Sequence, residues 1–393
     1  MASDRPRLST SFSLYLDLIR FLAAFLVLLT HYRQYGLVGG PLADLVPSAG
    51  RESVIVFFVL SGFVIAYSTL SKQVSPLDYF AARLTRIGSV ALPVVLLAFA
   101  CAFLIARLVG PELVPAYVLN KAYVYMPLHL LFLGESWRLS ETPPWLSPYW
   151  SLGYEVWYYV LFGVLIYLRG WQRALAAALA SAVIGYKLWL LLPVWASGVW
   201  LYRWLEKHTL PAPAARLGWL ASTLLLVAYN LSGLEDPLRA LAATLWPFPS
   251  LPLGSAERVL ADYLVCALIL VNFACARYAA FAGLERFAAA IRNLSFYTFP
   301  LYLAHALVLG IWRSFHPHGA GTTFDVLVMS AIVAVFTWAL GRGAESLRVS
   351  ALAWIAALPL KAARLRSGLA QTDFSDPLAP PETDKLQRIP RKR

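Results

Sequence analysis

Asp17, Arg20, Glu155 and His305 stand within or at the edge of long apolar runs. Charged and titratable groups in hydrocarbon are costly, so each needs a partner, a cavity or a reaction. The first run, Phe12 to Tyr32, carries Asp17, Arg20 and His31. At ~100° per residue, Arg20 and His31 fall roughly 300° and 320° from Asp17, so all three share one helix face. The separation of Arg20 from His31 is about 16 Å along the axis, too far for a direct hydrogen bond. Two readings are open for this face. Asp17 and Arg20 form an i,i+3 pair at one interface while His31 sits in the opposite headgroup layer. Alternatively the face lines a site, with an imidazole that exchanges protons near neutral pH.

Other runs offer further candidates. "VIVFFVLSGFVIAYS" contains Ser61 in a small-residue step, which permits close helix packing or lines a site. In "YFAARLTRIGS", Arg83 and Arg86 stand about one turn apart at a helix start. They suit phosphate groups of a soluble ligand, or serve only as topology arginines. "PYWSLGYEVWYYV" puts Glu155 just inside a span, on one face with Ser151 and either Tyr158 or Tyr159. "NLSFYTFPLYLAH" puts Thr298, Tyr302 and His305 on one face, and Pro300 is expected to kink that helix and free a carbonyl. His129, His208, His316 and His318 lie outside the expected spans, and no ligand set accompanies them, so no metal is assigned.

These residues need a membrane scaffold to hold them. Of the 393 residues, 60% are hydrophobic and only 14% charged, which excludes an ordinary soluble domain. The net charge of +12 reflects topology in such a chain, so nucleic-acid binding is not expected. All three cysteines sit in apolar runs, which argues against a disulfide framework. The run at Phe12 is too long and too charged for a signal peptide and reads as a retained span. Windows of about 20 apolar residues fall at 12–32, 52–70, 88–109, 150–168, 174–186, 188–203, 216–233, 258–276, 294–312 and 323–341, with 174–186 short. The expectation is therefore an all-α, polytopic bundle of about ten transmembrane helices. Lys and Arg concentrate on the side of the N-terminus and the tail, which places both termini in the cytoplasm. The apolar stretch 116–134 reads as a re-entrant or surface helix, or as an eleventh span that the charge distribution disfavours. The Pro- and Trp-rich segments 110–149 and 234–257 read as irregular covers over a pocket. Residues 1–348 form the membrane domain, 349–366 an inner-leaflet surface helix, and 367–393 a disordered cytoplasmic tail.

Together the segments "LDLIRFLAAFLVLLTHY", "VFFVLSGFVIA", "RLTRI", "WSLGYEVWYY" and "FYTFPLYLAH" resemble the membrane acyltransferase family 3. These integral membrane enzymes O-acylate extracytoplasmic glycans, and the pieces run in the family's order from residue 14 to about 345. The resemblance implies a cytoplasmic acyl-CoA co-substrate, most simply acetyl-CoA, and no bound cofactor. It further implies a glycan or lipid-linked saccharide hydroxyl reached from the other face of the inner membrane. The family's first-helix catalytic His corresponds to His31, its first-helix Arg to Arg20, and its Arg-x-x-Arg pair to Arg83 and Arg86. On this mapping His31 is the general base, Glu155 orients the site or the acceptor, and Arg20, held by Asp17, steadies the pantetheine–phosphate end. Arg83 and Arg86 then meet the CoA phosphates, and Ser61, Ser151, Tyr158, Tyr302 and His305 are site-lining candidates. The chain departs from the family at Ala82, at "GSV" after "RI", and at Glu345-Ser346, which bears on the donor end. A covalent acyl-enzyme relay and a succinyl donor stay open. So does a transporter or flippase of a lipid-linked glycan, although the internal symmetry common in transporters is not visible.

Overall fold

Local signals set where the first helices begin. Ser9 accepts from Phe12 N (3.3 Å) at the start of α1 (Thr10–Gln34). Ser75 accepts from Asp78 N (3.1 Å), with Pro76 in the first turn, at the start of α4 (Pro76–Leu108). Both satisfy amide donors that a helix N-terminus leaves unpaired. The remaining helices are α2 (Pro41–Leu45), α3 (Gly50–Leu70), α5 (Ala116–Leu130), α6 (Tyr149–Tyr167), α7 (Gly170–Ile184), α8 (Tyr186–Leu205), α9 (Ala212–Ser232), α10 (Glu235–Leu245), α11 (Val259–Ala276), α12 (Ala288–Phe296), α13 (Thr298–Phe315) and α14 (Thr323–Thr372). This computed structural model describes residues 8–281, 283–316 and 321–372, with side chains to residue 357 except that of Leu42. Those residues are helical or irregular, with no strand among them.

Six helices are long and apolar enough to cross a bilayer, or eight if each of two bent pairs is one span. The ten windows differ from this in two places. The windows 174–186 and 188–203 form one pair, α7 and α8, bent by 117°. The helix breaks at Gly185, whose φ of +79° suits a residue without Cβ. Trp137 fills the break, its backbone N donating to Ile184 O (3.3 Å) and its indole to Ala182 O (2.7 Å). The second place is α6, which matches the window at 150–168 but is rich in Tyr and Trp, carries Glu155 and is not among the six. The second bent pair, α12 and α13, turns by 45°. That turn lies at Tyr297, before the residue expected to cause it; Pro300 sits in the first turn of α13, where its missing N–H costs little.

The stretch around 116–134 is the 15-residue α5, broken at Lys121 (φ −137°), and is not among the span-capable helices. The two segments read as irregular covers each contain a helix, α5 and α10. The chain divides into two units, Met1–Arg348 and Val349–Arg393. Residues 349–366, read as a separate surface helix, are helical within α14, which continues to Thr372. The rest of the tail, 373–393, and His318 lie outside the described residues.

In the first unit, α1 packs on α3, α12 and α13, and α3 packs on α8. A Cβ on Gly62 would meet the Trp195 carbonyl, and one on Gly198 would meet the Val59 carbonyl, so α3 and α8 touch through bare backbone. Small residues at a helix crossing permit this approach. Gly62→Ala is expected to destabilise the folded protein by about 1–3 kcal/mol, since backbone cannot give way as a side chain does. A lower melting temperature in detergent checks this; an unchanged one contradicts the contact.

Candidate active site

Three cavities lie along the inner faces of α1 and α13. The first is lined by His31, Gln34, Arg51, Glu135, Ser147, Trp150, Ser255, Arg258 and Tyr302, among others. The second is lined by Arg20, Ser61, Arg83, Arg86, Ser151, Glu155, Tyr159, Thr298 and Tyr302 with several apolar residues. The third holds Asp17, Arg20, Arg86, Arg292, Ser295, Thr298, Glu345 and Arg348. Neighbouring cavities share walls: Tyr302 belongs to the first and second, and Arg20, Arg86, Thr298 and Phe299 to the second and third. Asp17, Arg20 and His31 thus line this row of adjoining cavities from one face of α1, and Thr298 and Tyr302 from the face of α13 that also carries His305.

At the His31 end the hydrogen bonds settle which nitrogen is basic. His305, fully buried, places Nδ1 2.7 Å from the Leu301 carbonyl, which can only accept. Nδ1 of His305 therefore carries a hydrogen, and its Nε2 offers a lone pair 3.0 Å from His31 Nδ1. His31 Nδ1 donates there, which leaves His31 Nε2 as the free proton acceptor. That nitrogen lies 3.4 Å from Ser147 Oγ, itself 3.1 Å from the Tyr35 hydroxyl. A hydroxyl entering the first cavity would find an oriented imidazole base, the arrangement that activates a weak nucleophile.

The wall opposite is built from charged groups that sequence reasoning missed. Arg51 on α3 forms a two-pronged bond to Asp262 on α11 (Nε–Oδ1 2.8 Å, Nη2–Oδ2 2.5 Å) and donates to Ser255 O (2.8 Å). Its guanidinium also stacks on Trp150, 4.7 Å from the ring centroid. Lys187, fully buried on α8, donates to Glu135 (3.2 Å) and Ser140 (2.8 Å), and Ser255 donates to the same Glu135 oxygen (2.5 Å). Burial holds the Glu135 carboxyl above the ordinary carboxylate range, against the pull of the Lys187 ammonium. A sequence signal for this wall existed: Asp262 is a lone acid at the start of an apolar span.

Glu155 lines the second cavity and not the one that holds His31. Its Oε1 accepts from Ser61 Oγ (2.7 Å) and from the Tyr159 hydroxyl, with Trp195 Nε1 donating to Ser61 (3.2 Å). Of the two candidate tyrosines, Tyr159 lines the cavity, whereas Tyr158 turns away and donates to Leu188 O (2.7 Å). Ser151 bonds the Tyr302 hydroxyl (2.7 Å) at the junction with the first cavity. Arg83 lines this second cavity, donating to Ser68 (2.5 Å) with its guanidinium 5.7 Å from the Tyr159 ring centroid. Only Arg86 of that pair reaches the third cavity. There Asp17 accepts from Arg20 (3.2 Å) and Ser295 (3.0 Å), and Arg348 grips Glu345 (2.8 and 2.9 Å). Among the described residues no group of three or more His, Cys, Asp or Glu is placed to hold a metal ion.

The acyltransferase domain of membrane acyltransferase family 3 matches residues 13–342. The chain belongs to that family. No curated protein and no solved structure matches it significantly. This membrane acyltransferase thus carries nearly all of its three cavities inside the family domain, with Ala344, Glu345 and Arg348 just beyond the match.

Proposed function

We propose that this acyltransferase moves an acyl group from acyl-CoA to a hydroxyl of a glycan or glycosylated molecule on the opposite side of the membrane. The observation that carries the reading is the His31–His305–Leu301 chain, which leaves a basic nitrogen facing a polar cavity. The acceptor hydroxyl enters that cavity, and His31 Nε2 takes its proton. The alkoxide oxygen attacks the thioester carbon, the C–S bond breaks, and the proton passes from His31 to the CoA sulfur. Acyl-CoA enters from the other end of the route. Its phosphates meet Arg86, Arg292 and Arg348, whose guanidinium groups suit phosphate oxygens. Its pantetheine arm lies in the Glu155 cavity, where Arg20, Glu155 and Tyr159 offer partners to amide groups. No bound cofactor or metal is needed. The membrane is the cytoplasmic one, with the Arg292 cavity on the side where CoA is made.

The direct test supplies labelled acetyl-CoA to membranes containing the protein and follows label into glycan, with glycan mass spectrometry from cells with and without the gene. Absence of any gene-dependent acyl ester sinks the reading. Arg86→Ala is expected to raise the KM for acyl-CoA about tenfold or more, the loss of a charged hydrogen bond of about 1.5–3 kcal/mol. An unchanged KM removes Arg86 from the donor end.

A further inference from the structure

Tyr302 occupies a singular place. It lines both the His31 cavity and the Glu155 cavity, so a group passing from one to the other passes its ring. The side chain is also held at both ends. Its hydroxyl bonds Ser151 Oγ (2.7 Å) and reaches Pro148 O (3.3 Å). Its ring meets Phe57 edge to face (centroids 5.5 Å apart) and lies 6.3 Å from the His305 ring, which in turn is 5.0 Å from His31. A ring pinned by hydroxyl and edge is a fixed wall, not a swinging one, and it stands beside the base.

We propose that Tyr302 is the specificity-determining residue for the acyl group, restricting the donor to short, uncharged acyl chains. The inference rests on the acyl-transfer reading above and adds to it the identity of the acyl class. During transfer the carbonyl carbon must lie near His31, while the rest of the acyl chain has to lie somewhere in the junction. Tyr302 and Phe57 close that space, and each extra methylene pressed against a fixed wall changes selectivity by roughly tenfold or more. Charge is excluded by the same surroundings. Glu155 puts a carboxylate in the donor-side cavity, Arg20 is held by Asp17 (3.2 Å), and Arg83 is held by Ser68 (2.5 Å). Arg86 lines both this cavity and the third, and the acyl-transfer reading commits it to the CoA phosphates. On the other side of Tyr302, Arg51 is held by Asp262 and Arg258 by Glu235 (2.5 Å), so a succinyl carboxylate there would be buried beside an acid with every lining cation already engaged.

The experiment compares acetyl-CoA, butyryl-CoA and succinyl-CoA, each labelled in the acyl group, as donors in membranes from the producing strain. Wild type, Tyr302→Phe, Tyr302→Leu and Tyr302→Ala are compared at equal membrane content. Wild type is expected to favour acetyl over butyryl by roughly tenfold or more and to transfer no succinyl. Tyr302→Phe keeps the ring and should keep that ratio within about threefold. Tyr302→Leu and Tyr302→Ala remove the wall and should bring the ratio close to one, mainly by raising butyryl transfer. A ratio that stays at the wild-type value in the Leu or Ala variant, with both donors falling together, overturns the assignment. So does succinyl transfer by wild type. If Tyr302→Ala fails to insert, Tyr302→Leu decides the matter by the same ratio. A wild type that transfers none of the three donors fails the acyl-transfer reading itself, a result distinct from an active enzyme with an unmoved ratio.

Discussion

His31→Ala is expected to lower acyl transfer by about 10²–10⁴-fold, the usual worth of a positioned general base. The variant removes the only nitrogen of the His31–His305 chain that is left free to accept a proton from the first cavity. It leaves the Arg86 and Glu155 ends of the route untouched, because His31 lines neither of those cavities. The KM for acyl-CoA should therefore hold while kcat collapses. Label transfer from acetyl-CoA in membranes, corrected for the amount of inserted protein, measures both. More than about a tenth of wild-type activity would remove His31 from proton transfer, given the size expected for that role.

The second large effect is expected at His305, which lines none of the three cavities but contacts His31. His305→Phe fills a similar volume but removes the Nε2 acceptor 3.0 Å from His31 Nδ1. The His31 ring then loses its fixed tautomer and orientation. Positioning partners of this kind typically cost about 10–100-fold when lost. The loss should fall on kcat, with the KM for acyl-CoA nearly unchanged. His305→Gln offers an amide oxygen to the same Nδ1–H and should recover part of the rate. Equal activity in the Phe and Gln variants would mean that His305 only packs.

The faces were legible from period alone. A 3.6-residue repeat brings Asp17, Arg20 and His31 together on α1 and Thr298, Tyr302 and His305 together on α13, whatever surrounds them. Partnership was not legible, because it depends on which helices meet. His31 and His305 are 274 positions apart, and Glu155, expected to orient the site or the acceptor, bonds Ser61 and Tyr159. Tyr158 and Tyr159 are neighbours in sequence, and both fit a broad face with Ser151. What separates them is tertiary: the Leu188 carbonyl on α8 takes the Tyr158 hydroxyl. The Gly in "SGF" satisfied the packing reading while the Ser beside it entered a cavity, so the two readings of that step were not rivals. Arg51, Asp262, Glu135 and Lys187 escaped notice because their pairs join segments 52 to 211 residues apart.

The imidazole pair also says something about when this protein becomes an enzyme. One histidine is on α1 and the other on α13, so the second is synthesised 274 residues after the first. The wall facing them requires α3, α8 and α11 together. A nascent chain halted before α13 would hold α1 with an unoriented imidazole and no Tyr302. Translation order alone thus puts the pairing of the two imidazoles near the end of the family domain's synthesis.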